Sequence, residues 1–128
     1  MKLELKAIAI GTYQESLDSF WPEDEECFGE WVTISVGIQG DDGADNFNLF
    51  ICSPDWLKQK NKSFDNDVWG LHKLILLKYN SESIQSCIKK KLDELSVRFS
   101  DNSEKDLMLK VARYAHWEFE DYVPYETT

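Results

Sequence analysis

Four consecutive carboxylates, Glu23, Asp24, Glu25 and Glu26, form the densest set of chemically capable groups in the chain. They belong to a wider bias. From Ala7 to Leu57 there is no Lys or Arg, yet the stretch holds eleven acidic residues, the others being Glu15, Asp18, Glu30, Asp41, Asp42, Asp45 and Asp55. Grouped carboxylates can exchange protons as general acid and base, ligate a hard cation, or attract a positively charged partner. With so many acids, close pairs arise by chance, so no catalytic residue is assigned. Neither Glu23–Glu26 nor Gly40-Asp41-Asp42-Gly43-Ala44-Asp45 reproduces the spaced D-x-[DN]-x-[DN]-G calcium loop with its terminal Glu, so no metal ligand is assigned either. A divalent-metal-binding or hydrolytic domain using these carboxylates stays open as the alternative.

The remaining reactive side chains are sparse. His72 and His116 are isolated in sequence, without a Cys or second His at ligand spacing. Cys27, Cys52 and Cys87 lack CxxC spacing, and their odd number fits free thiols that pack as small hydrophobes in a reducing compartment. Gly37, Gly40 and Gly43 fit a hairpin better than a phosphate-cradling loop. No cofactor is expected.

The charge run has an ordinary reading, a solvated loop that aids solubility. Two features weigh against leaving it there. Fifty-one residues without a cation is more than a local run. Trp21 and Phe20 also lie beside the densest acids, and an aromatic anchor within a polar rim is the usual anatomy of a protein interface. Trp21 has its own plain alternative, pinning the loop to the core.

The elements that must position these residues come from a chain of 128 residues with net charge −10. Residues 1–70 carry a net −9 and residues 71–128 a net −1, so the charge belongs to the N-terminal half. Such a protein is repelled by nucleic acid and by anionic lipid, and basic proteins are its natural partners. Length and hydrophobic content fit one domain over 1–128. The start MKLELKAIAI lacks a signal-peptide core, and no run reaches membrane-spanning length, which fits a cytoplasmic protein.

Leu3, Leu5, Ala7 and Ile8 between charged residues read as a first strand ending at Gly11. An irregular acidic segment follows from Thr12 to Gly29. Val32, Ile34, Val36 and Ile38 alternate with Trp31, Thr33 and Ser35, a clear strand, and Phe47, Leu49 and Ile51 return after the turn Gly40–Gly43. Ser53-Pro54-Asp55 starts a short helix that ends near Lys60 to Lys62. Asn61–Asp67 reads as a connector and Trp69–Tyr79 as a buried strand. Ile84, Cys87, Ile88, Lys91, Leu92, Leu95 and Phe99 mark one helix, capped near Asn80 or Ser81. Asp101-x-x-Glu104 resembles a capping box. Leu107, Met108, Val111, Ala115, Phe119 and Tyr122 give a second long helix stopped by Pro124, with a frayed tail. The expected fold is α+β: a small, mostly antiparallel sheet of about four strands, covered on one face by two long C-terminal helices and one short helix.

MKLELK, Trp21-Pro22-Glu23-Asp24 with Gly29, the hairpin, Ser53-Pro54-Asp55-Trp56-Leu57 and the later GLHKLILLKY followed by helices together resemble the immunity protein 8 family of bacterial polymorphic toxin and contact-dependent growth inhibition systems. The resemblance spans nearly the whole chain and carries no catalytic fingerprint. It implies an α+β antitoxin, made in the cytoplasm of the toxin producer, that binds a cognate toxin C-terminal domain. Many toxins of these systems are nucleases with basic grooves, which suits the charge. The residues expected to bind the toxin are Glu23, Asp24, Glu25 and Glu26 in the loop, Asp41, Asp42 and Asp45 at the hairpin turn, and Trp21 as an anchor.

Overall fold

The structure is a computed structural model and describes residues 1–60 and 70–120. The strands are β1 (Leu3–Ile10), β2 (Gly29–Ile38), β3 (Asp45–Cys52), β4 (Lys73–Ile75) and β5 (His116–Trp117), and the helices are α1 (Pro54–Lys60), α2 (Ser81–Arg98) and α3 (Glu104–Val111). β1, β2 and β3 run antiparallel in that order; on the far side of β3, β4 pairs parallel and β5 antiparallel. The α+β class and the mostly antiparallel sheet are as the sequence pattern indicated.

The alternation in β2 and β3 places Val32, Ile34, Val36, Phe47, Leu49 and Ile51 in one buried layer. β1 shows why its pattern is broken. Its register slips between Leu5 and Ala7, so Lys6 is an extra residue that shifts the period and returns Ile8 and Ile10 to the core side with Leu3 and Leu5. α2 closes this layer with Ile84, Ile88, Leu92 and Leu95, and α3 adds Leu107, Met108 and Val111. Full burial of side chains of this size contributes about 1.5–3 kcal/mol each. Asn80 caps α2 by accepting the Ser83 N–H at 2.9 Å.

Several details differ from the sequence reading. α3 is capped by Ser103, whose Oγ accepts the Asp106 N–H, and not by Asp101. It ends at Val111, so it is short. The chain then turns into β5, where Trp117 finds partners of its own. Its ring stacks on Phe47 at 6.2 Å and its indole N–H donates to Asp45 Oδ2 at 3.2 Å. Among the described residues of the run ending at Tyr79, Lys73–Ile75 alone is strand, while Leu71, Ile75 and Leu77 are exposed. α1 lies on the opposite face from α2 and α3, with Trp56 tilted onto Phe50 at 4.9 Å and set over Gly29. Cys52 is buried, but Cys87 is exposed. The expected connector Asn61–Asp67, Trp69, Tyr122, Pro124 and the tail lie outside the described residues.

The hairpin turn closes tightly. Gly40 takes a positive φ of 93°, and a β-carbon at Gly37 would collide with the Gly43 carbonyl oxygen. Gly37→Ala should therefore destabilise the protein by about 1–3 kcal/mol through overpacking against backbone. Urea denaturation checks this, and a value near zero would mean that the turn opens freely.

Candidate functional site

The acidic loop between β1 and β2 is long, and apolar residues must hold it to the body. It leaves β1 through Gly11 (φ 80°) and a tight return in which Ile10 and Glu15 bond to each other. Leu17 and Phe28 are then buried. Between them stands Tyr79, 2% exposed, with the rings of Phe20, Trp21 and Phe28 around it at 5.8, 5.4 and 5.6 Å. Its hydroxyl donates to the Leu17 carbonyl at 3.1 Å and its backbone N–H donates to the Glu25 carbonyl at 2.8 Å. Burial, with the Asp18 charge second, pushes the phenol pKa up to about 12.

Trp21 lies edge-on to Tyr79 yet remains 58% exposed. Its indole N–H donates to Glu25 Oε1 at 3.1 Å, and Glu25 Oε2 pairs with Lys78 at 3.2 Å. Asp24 Oδ1 accepts the Glu26 N–H at 2.9 Å, which shapes the turn. Glu23, Asp24 and Glu26 are exposed, and among the described residues they make no salt bridge. With Trp21, Glu25 and Lys78 they line a shallow depression. A neighbouring groove runs from Trp21, Glu23 and Asp24 past Glu30 to Trp56. Trp21 therefore both pins the loop and presents a free surface.

The hairpin acids are elsewhere. β2 runs from Gly29, beside the loop, to Ile38, beside the turn, which separates the groups by roughly 30 Å at about 3.4 Å per residue. The Asp41 carbonyl accepts from Lys6 Nζ at 2.7 Å, and Asp45 holds the Trp117 indole. Asp42 is exposed. The fold thus brings Trp21 and Glu23–Glu26 together and leaves Asp41, Asp42 and Asp45 at the other end of the sheet.

The histidines are not isolated in space. His72 and His116 meet with rings 5.9 Å apart where β4 and β5 abut along β3, and a separation of 44 residues hides this in the sequence. His72 Nε2 bonds the Ala112 carbonyl at 2.8 Å, and His116 Nε2 lies 3.6 Å from Glu120. Among the described residues no three His, Cys, Asp or Glu are grouped so as to hold a metal ion. Nor is any helix there long and apolar enough to cross a membrane.

The sequence model of immunity protein 8 matches residues 3–122. The chain belongs to the immunity protein 8 family. No curated protein and no solved structure matches it. Immunity protein 8 membership makes this an immunity protein, a class that works by binding a cognate toxin. For such a protein the relevant features are exposed anchors and charge, and two aromatics beyond those singled out from the sequence now matter. Trp56 lines the acidic groove, and Trp31 stands exposed on the sheet. The signal for Trp31 was present in its place on the polar side of β2.

Tyr79→Phe tests how the loop is held. Losing the hydroxyl should cost about 0.5–1.5 kcal/mol at neutral pH by leaving the Leu17 carbonyl without its donor. The folded phenol titrates above the unfolded one, so its stabilising contribution is full below pH ~10 and fades as pH rises toward 12. Denaturation of both proteins from pH 7 to 11.5 should show the gap narrowing above pH 10. A gap independent of pH would contradict this environment for Tyr79.

Proposed function

We propose that this immunity protein acts in the cytoplasm of the producing cell and neutralises a basic toxin domain, most consistently a nuclease, by laying the acidic loop against the groove that takes phosphates. The observation that carries the reading is the arrangement of Glu23, Asp24 and Glu26 as exposed carboxylates without salt bridges among the described residues, beside the half-exposed Trp21. Local negative potential of this kind accelerates encounter with a cationic surface and disfavours wrong partners. Affinity then comes from a few desolvated anchors, and Trp21 is placed to be one, its indole fixed by Glu25 and Tyr79.

The hairpin carboxylates enter this reading only as distant contributors to the field. Asp45 is committed to Trp117, and the turn folds back toward Lys6. The immunity role needs no cofactor and no chemistry by the protein itself, only an occupied toxin surface.

Reversing Glu23–Glu26 to Lys should slow association with the cognate toxin domain by roughly tenfold or more at low salt, and the deficit should shrink as salt rises. Stopped-flow or surface-plasmon kinetics at two ionic strengths measure it. Reversal of Asp41 and Asp42 should have a smaller effect. An association rate unchanged by the loop reversal would remove the loop from the interface.

A further inference from the structure

We propose that the toxin-binding surface continues from the acidic loop onto the open face of the sheet, where Trp31 is a second anchor that stacks on a cationic side chain, foremost an arginine, of the toxin. This rests on the function proposed above.

α2 and α3 cover one face of the sheet, and the other is open around Trp31. That residue belongs to β2, which is flanked on both sides by strands, yet it is 55% exposed. A tryptophan can bury 150–250 Å², so leaving one outward on an interior strand forgoes a large contribution to folding. Its orientation is nevertheless fixed. Phe50 stands directly opposite on β3 and meets it edge-on, with centroids 5.1 Å apart. Phe50 is braced in turn by Trp56, which fills the space left by the missing side chain of Gly29. The three rings form a tier set before any partner arrives. Pre-organised aromatics with little ordering left to undergo are the usual energetic centres of interfaces.

Charge selects the partner. The tier's own residues lie within the cation-free stretch from Ala7 to Leu57, and Lys73 pairs with Phe50 from β4. Lys6, on the neighbouring strand, is engaged by Glu4 at 3.1 Å and by the Asp41 carbonyl. Lys60 lies 5.8 Å from the Trp56 ring, so this aromatic surface already attracts a cation of its own chain. Trp56 also lines the groove with Trp21, Glu23 and Asp24, so the tier and the acidic loop are continuous. Beyond Trp31, the hydrogen-bonded pairs Thr33–Asn48 and Ser35–Asn46 form a polar border of the kind that rims interfaces. A guanidinium is the best match, since it stacks on indole and bonds carboxylates with its planar fork.

Binding of the catalytically inactivated cognate toxin domain to four variants tests this: Trp31→Ala, Trp31→Phe, Asn48→Arg and the Glu23–Glu26 reversal. Trp31→Ala is expected to raise Kd about tenfold or more, chiefly through faster dissociation, and Trp31→Phe to restore much of the loss. Asn48→Arg places a like charge on the same face, two residues from Phe50, where it competes with the incoming cation for the rings, and is expected to weaken binding. It carries the test alone if circular dichroism shows that Trp31→Ala is unfolded. If Trp31→Ala and Asn48→Arg stay within twofold of the parent while the loop reversal slows association, the inference is overturned and the proposed function stands. If none of the variants changes binding, both fall.

Discussion

Tyr79 sits where the acidic loop meets the body, and the shape of the loop follows from keeping that phenol out of water. A loop carrying four adjacent carboxylates repels itself. Between solvated charges 4 Å apart that repulsion is only about 1 kcal/mol. Burying Leu17, Phe28 and Tyr79 contributes more, about 1.5–3 kcal/mol for each large apolar side chain. The apolar anchors therefore win, and the carboxylates are held outward. The same contacts set Trp21, which rests on Tyr79 and bonds Glu25.

The two acidic ends of the molecule are built differently as a result. At the hairpin one carboxylate completes the structure, Asp45, which receives the Trp117 indole; Lys6 meets the backbone carbonyl of Asp41, and Asp41 and Asp42 are exposed. At the loop, Glu25 links Trp21 to Lys78 and its three neighbours remain solvated. What distinguishes the loop end is the half-exposed Trp21 set beside its solvated carboxylates.

Much of this fold is legible in the sequence where one period dominates. Val32–Ile38 and Phe47–Ile51 alternate cleanly because one face is core, and Ile84–Leu95 repeats as a helix because α2 spans the sheet. The pattern misleads where two periods coincide. Ala115 and Phe119 continue the helical spacing of Val111, yet Trp117 between them finds Phe47 and Asp45 and pulls the chain into a strand. Leu71 and Leu77 look like strand core and are exposed. At the surface, composition identified the acidic stretch but not its division between opposite ends of β2. The meeting of His72 with His116 and of Trp31 with Phe50 depends on pairings across β3 that no local window contains.

The most direct test of the central claim, that the Gly29 end of the sheet is where a cationic toxin docks, is hydrogen–deuterium exchange of the chain with and without its cognate toxin domain. Protection is expected across Phe20–Trp31, with Gly40–Asp45 unchanged. Protection confined to the hairpin turn or to the exposed sides of α2 and α3, with the loop exchanging as in the free protein, would contradict it.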